Sequence, residues 1–194
     1  MRAEPRVNVA RLRISIDGIE PQIWREVVVP TKSTLHALHR AIQILYGWLD
    51  YHLYELEFRG QRFQFPDDES DAEDSTKAKL SQFGLSPGDR LTYRYDFGDD
   101  WELLIDILEL VNGADPAWMP FLVDGERSGP PEDCGGVHGY ERLTRALRIS
   151  FEDLDGDDRD FVEWAGDFNP DEFGVRQARQ SLLLISAWGA LKRR

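Results

Sequence analysis

Two runs of alternating apolar residues meet across Gly98-Asp99-Asp100, and no other feature of the chain limits its fold as much. Leu91, Tyr93, Tyr95 and Phe97 lead in; Trp101, Leu103, Ile105 and Ile107 lead out. A side-chain period of two puts each set on one face of a strand, and Asp and Gly supply the dihedrals of a tight turn. Residues 91–107 therefore predict an antiparallel hairpin with one buried face.

The N-terminal part follows the same logic. Arg6 to Asp17 alternates, with Ala10, Leu12, Ile14 and Ile16 on one side and Arg11 and Arg13 on the other. Gly18 to Pro21 breaks the run, and Ile23 to Val29 predicts a second, pairing strand ended by Pro30. Thr31 to Thr34 offers N-cap hydroxyls to a helix in which Leu35, Leu38, Ile42 and Leu45 form an apolar stripe that stops near Gly47. Tyr54, Leu56 and Phe58 predict a strand, Gly60 a turn, and Phe63 and Phe65 a returning strand. Six of the eight residues from Asp67 to Asp74 are acidic, which predicts a solvated, mobile loop.

From Asn112 to Gly139 the pattern fails, and Gly and Pro dominate in Ser128-Gly129-Pro130-Pro131 and Cys134-Gly135-Gly136. A loop this long inside a compact domain is often functional. Helical patterns follow at Tyr140–Ile149, Arg159–Ala165 and Val175–Leu191, the last with Ala178, Leu182, Ile185 and Gly189 on one side. Strands first and helices last, with one helix inserted after the first hairpin, predict an α+β fold: a mainly antiparallel sheet of hairpins with C-terminal helices packed on it. The chain reads as one domain, 1–194, sheet-rich over about 6–111, a long loop over 112–139 and helical over 140–194. Trp24, Trp48, Trp101 and Trp164 are expected to serve the core.

Composition narrows the function classes. A formal charge of −13 opposes nucleic-acid binding, which needs clustered Lys and Arg to displace counterions from phosphates. The one such cluster is the terminal Lys192-Arg193-Arg194. A single cysteine, Cys134, cannot close an intramolecular disulfide. No apolar stretch is long enough for a signal-peptide core or a membrane helix, so a cytoplasmic protein without a membrane partner is expected.

Two segments carry candidate chemistry. Asp96-Phe97-Gly98-Asp99-Asp100, followed by Trp101, reads either as ordinary turn chemistry or as a hairpin tip offering carboxylates to a metal or cationic ligand. Pro130 to Gly136 is stiffened by two prolines and freed by two glycines around Glu132, Asp133 and Cys134, and Tyr140 follows. It reads either as a structural tie with Cys134 buried, or as a rigid loop aiming acids or a thiol into a cleft. A nucleophilic pair of Cys134 with His138 or His52 is conceivable by residue type. His36 and His39, three apart on the first helix, lack a third spaced ligand, and Asp153, Asp155 and Asp157 lack the Gly and Glu of a calcium loop, so spacing assigns no metal and no cofactor.

Several strings taken together are specific: Pro21-Gln22-Ile23-Trp24-Arg25, Leu35 through His39, Gly47-Trp48 with His52-Leu53, Tyr93 through Glu102, Pro130 through Gly136 with Gly139-Tyr140, and Trp164 through Phe173. In this order they resemble the plasmid pRiA4b ORF-3-like family, also described as TnpR-type passenger proteins of insertion elements, over about residues 7–185. The resemblance implies a cytoplasmic α+β protein without an established activity, sometimes linked to mobile elements. It does not carry a resolvase activity here, because no nucleophilic Ser amid arginines is present. Relatives that carry His where this chain has Leu103, and Cys where it has Gly129, imply two metal ligands that this chain lacks.

The leading expectation is a binding or interaction module, an accessory protein of a plasmid or mobile element, with a protein partner and a groove between the Asp96–Trp101 hairpin and the Pro130–Tyr140 loop. The alternative is a metal-assisted or acid/base hydrolase using Asp96, Asp99, Glu132 and Asp133. Convergence of those carboxylates in a concave site favours the alternative; scatter over opposite faces excludes it.

Overall fold

The structure, a computed structural model, describes residues 7–67, 70–114 and 120–191, with the side chains of residues 7, 114 and 185–191 left aside. Lys192-Arg193-Arg194 and the Ile185 and Gly189 end of the last helical stripe therefore lie outside the described side chains.

Eight strands form one sheet in the order β5-β4-β3-β6-β7-β1-β2-β8. They are β1 (Val7–Ile16), β2 (Trp24–Pro30), β3 (Tyr54–Phe58), β4 (Gln61–Gln64), β5 (Glu73–Asp74), β6 (Arg90–Tyr95), β7 (Trp101–Ala114) and β8 (Phe121–Glu126). Every pairing is antiparallel except β4 with β5. The helices are α1 (Leu35–Tyr46), α2 (Gly136–Ala146), α3 (Gly156–Ala165) and α4 (Val175–Leu191). The α+β architecture expected from the element order is the one observed.

The expected hairpins form. β1 pairs with β2 and β6 with β7, and the even positions of β1, from Ala10 to Ile16, are buried. Thr34 caps α1 by accepting a hydrogen bond from the Ala37 N–H, and Gly47, at φ 78°, ends it in the left-handed region that glycine adopts without cost. Leu35, Leu38, Ile42 and Leu45 of α1 are buried in the same core as Leu12, Ile14, Tyr93, Leu103 and Ile105 from the centre of the sheet.

Four expectations need correcting. The predicted 112–139 loop contains β8, paired along β2. An edge strand buries one apolar residue here, Leu122, so it carries almost no alternation to read. α2 starts at Gly136 rather than Tyr140, because glycines that disfavour helix occupy its first turn. The acidic run is not wholly solvated loop: Glu73 and Asp74 pair with β4, and Asp74 accepts hydrogen bonds from the Thr76 N–H and hydroxyl while pairing with Lys77. Trp48 and Trp101 are core residues, but Trp164 is half exposed, stacked on Phe161.

β2 brings a charge into this core. Arg25 shares a face with Val27 and Val29 and is fully buried. Its guanidinium donates to the backbone carbonyls of Leu45, Trp24, Glu126 and Arg127 at 2.7–2.8 Å and lies over the rings of Phe173 and Tyr46. Burial lowers its pKa from 12.5 to about 10, which leaves it charged at neutral pH. One side chain thus ties β2, the end of α1, the end of β8 and the segment before α4.

Candidate functional site

The segment between α1 and β3 is the scaffold of the site. Trp48 Nε1 donates to the Pro130 carbonyl at 3.0 Å, the Leu49 N–H to Glu132 Oε1 at 2.7 Å and the Asp50 N–H to Gln43 Oε1 at 3.0 Å. On its other side the Asp96 N–H donates to the Leu53 carbonyl at 3.0 Å. The imidazole of His52 is thereby fixed between the β6–β7 turn and the loop before α2.

His52 Nε2 lies 3.1 Å from Asp133 Oδ1, 3.4 Å from Glu132 Oε2 and 3.5 Å from Asp96 Oδ2. The Nε2 atom is buried and has a hydrogen-bond geometry with none of them. Donor atoms of His52, Asp96 and Asp133 all lie within 4.8 Å of one another. Ligands held about 2.1 Å from one tetrahedral ion sit roughly 3.4 Å apart, and the two distances from His52 Nε2, 3.1 Å to Asp133 and 3.5 Å to Asp96, bracket that value.

Each of these side chains is aimed by its own neighbours. Asp96 is nearly buried, sits at φ 54° and uses Oδ1 to accept from the Gly98 N–H at 2.9 Å, which leaves Oδ2 toward His52. Asp133, also at positive φ, is the open side of the cluster, with two-thirds of its side chain exposed. Glu132 accepts from the Tyr95 hydroxyl at 3.0 Å, and burial and the Glu132 carboxylate hold that phenol in its protonated, donating form. Such outer partners orient ligands in metal sites generally.

Of the residues singled out by sequence, the structure gathers Asp96, Glu132 and Asp133. Asp99 ties the two loops together, its Oδ2 accepting from the Gly135 N–H at 3.0 Å. The two loops are therefore in direct contact at this point. Trp101 is a core residue near Trp48, and Tyr140 is buried on α2 against Phe168. Cys134 is buried and its thiol is pushed up to about 12 by burial and then Asp99, so it is no nucleophile at neutral pH. His138 is exposed, 3.9 Å from Glu141. Leu103 is fully buried in the sheet, and a Cβ at Gly129 would meet the Tyr46 carbonyl oxygen at 2.0 Å, so neither position contributes a ligand. Sequence reasoning missed His52 as the centre of the cluster; its place in the Gly47–Leu53 string was the one available signal.

His52 also lines an adjoining pocket of about 360 Å³, walled by His36, His39, Asp50, Tyr51, Tyr54 and Phe65. His39 is fully buried: Nε2 meets Asp50 Oδ1 and Nδ1 meets the Tyr93 hydroxyl, both at 2.8 Å, with Tyr54 stacked 3.6 Å from its ring. Burial lowers its pKa from 6.5 to about 4, with Asp50 opposing the shift. A folded pKa below the unfolded one adds stability that is complete above pH 6.5 and is lost as pH falls toward 4. Up to about 3 kcal/mol is at stake. Melting temperature against pH is expected to fall through this window in the native protein and to flatten in His39→Gln; parallel curves would contradict the assignment.

Most of the chain is matched by known relatives. Residues 8–177 match the family described as plasmid pRiA4b ORF-3-like protein. The uncharacterized protein y4hQ of Sinorhizobium fredii is 37% identical over 143 residues, 72% of this chain and 73% of that one. The crystal structure of MM3350, a protein of unknown function from Methanosarcina mazei Go1, superposes with a TM-score of 0.80 at 34% identity, covering 89% of this chain and 98% of that one. By the extent of these matches the chain belongs to the plasmid pRiA4b ORF-3-like family.

Proposed function

We propose that the protein is a divalent-cation-dependent hydrolase whose ion is held by His52, Asp96 and Asp133. The observation that carries this reading is the convergence of one imidazole nitrogen and two carboxylates, from three separate loops, within 4.8 Å of one another. Three protein ligands with an open fourth position are the pattern of catalytic sites, whereas structural sites are closed by four. One imidazole with carboxylates suits zinc, manganese or iron better than calcium or copper. A bound ion would supply Lewis acidity to an electrophile and to an attacking water. Glu132, 3.4 Å from His52 Nε2 and oriented by Tyr95 and Leu49, is placed to take that water's proton and return it to the leaving group, while the water oxygen bonds the electrophile.

The test is thermal unfolding with Zn²⁺ or Mn²⁺ and with EDTA. A cation at a hundredfold excess over its Kd stabilises by about 2.7 kcal/mol, or roughly 5–10 °C for a chain of this size. The shift is expected in the native protein, reversed by EDTA, and absent in Asp96→Asn and His52→Gln.

A flat result would favour the second reading, an interaction module with a protein partner. That reading is supported by Leu49, Tyr51, Leu53, Phe65 and Phe97, large apolar side chains exposed close to the site. The plasmid reading frame in the family's description supports an accessory role in a plasmid or other mobile element under either reading. A cytoplasmic setting is supported by the single, buried cysteine. Among the described residues no helix is long and apolar enough to cross a membrane.

A further inference from the structure

The pocket beside His52 has a lining of distinct chemistry. Its walls are aromatic: Tyr51, Tyr54 and Phe65, with the imidazoles of His36 and His39 between them. His36 and His39 pack at 5.5 Å, and Phe65 tilts against His36 at 5.3 Å. Two carboxylates, Asp50 and Asp67, belong to the same lining, and Asp50 is half exposed even while it holds His39. Among the described residues no Lys or Arg lines the pocket; Arg40 is exposed on α1, outside the lining, though its charge is felt by His36 and His39.

We infer that this pocket binds an organic cation, an ammonium or guanidinium carried on a short apolar stem, as the recognition element of the substrate processed at His52, Asp96 and Asp133. The inference rests on the hydrolase reading for the word substrate, and on the pocket alone for the ligand. Aromatic faces present negative potential to a cation, and the attraction grows when the site is partly desolvated. The stem finds the exposed side chains of Tyr51, Leu53 and Phe65. Burial, with the nearby Arg40 charge adding to it, lowers the pKa of both imidazoles and so favours their neutral forms. A net charge of −13 on the whole chain adds long-range attraction for a positively charged ligand. An anionic ligand would meet the half-exposed Asp50 carboxylate, and no described Lys or Arg belongs to the lining.

The test compares 2-phenylethylammonium with 2-phenylethanol, which keeps the ring and stem and drops the charge, by calorimetry and by NMR shift mapping. The ammonium compound is expected to bind at least tenfold more tightly, to move resonances of Tyr51, Tyr54 and Phe65, and to lose at least fivefold in affinity in Tyr51→Ala and in Asp50→Asn. Tyr51 is exposed, and Asn keeps an acceptor for His39, so both variants are expected to fold. Equal binding of the alcohol, no binding of either compound, or shifts confined to another face would overturn the inference. A Mn²⁺ titration of the same samples separates the two claims. Metal without ammonium binding leaves the hydrolase reading and removes this one; ammonium without metal binding does the reverse.

Discussion

Arg25→Leu is expected to cost about 4 kcal/mol or more of folding stability, lowering Tm by roughly 10 °C. The leucine fills much of the volume but leaves the carbonyls of Trp24, Leu45, Glu126 and Arg127 buried without their donor. Hydrogen bonds from a charged donor are each worth about 1.5–3 kcal/mol, and orphaned buried acceptors add their own penalty. Arg25→Lys is expected to recover less than half of the loss. An ammonium offers three donors from one atom, whereas the carbonyls are reached here from three nitrogens of a planar fork. Stacking on Phe173 at 3.6 Å also favours the guanidinium. Denaturant unfolding of the three proteins decides the matter, and a loss under 1 kcal/mol for Arg25→Leu would mean that water takes over the four carbonyls.

Gly136→Ala is expected to damage the site although it changes none of its ligands. Gly136 sits at φ 64°, and a Cβ built there would lie 2.2 Å from the Asp99 carbonyl oxygen. Backbone meets backbone at that point, so no side-chain rotation relieves the clash. The β6–β7 turn, which carries Asp96, must then separate from the loop that carries Glu132 and Asp133. Strain at the φ and the clash together are expected to cost about 2–4 kcal/mol. Affinity for Zn²⁺ is expected to fall by at least tenfold, since a shift of even half an ångström takes carboxylates out of ligand range. Asp99→Asn, which keeps an acceptor for the Gly135 N–H, serves as the mild control. Native metal affinity in a folded Gly136→Ala protein would show that the two loops do not set the site jointly.

How much of this was legible in the chain follows from what each residue had to satisfy. The β1–β2 and β6–β7 hairpins and α1 were readable because burial on one face imposes a period, and the caps Thr34 and Gly47 mark where it stops. β8 was not, because an edge strand leaning on α4 and on β2 needs little apolar sequence of its own. The start of α2 was hidden by glycines whose role is close approach: a Cβ at Gly139 would meet the Cys134 carbonyl oxygen at 1.8 Å. Asp96, Glu132 and Asp133 stood out because acids framed by Gly and Pro are held rigidly, and they do converge. His52 did not stand out, since only tertiary structure places it beside residues 44 and 80 or more positions away. Cys134, Trp101 and Tyr140 carry the same sequence signals as functional residues, yet burial makes them parts of the core. Arg25 could have been noticed: a charged residue in register with Val27 and Val29 on the inner face of a strand demands a buried set of acceptors.

The central claim is that one divalent cation is held by His52, Asp96 and Asp133. Its most direct test is a crystal structure of the protein grown with Mn²⁺, with anomalous scattering recorded to locate the ion. The account predicts a single strong peak about 2.1 Å from His52 Nε2 and from a carboxylate oxygen of both Asp96 and Asp133. An empty cluster at saturating Mn²⁺, or a peak bound elsewhere with His52 unchanged, would contradict it.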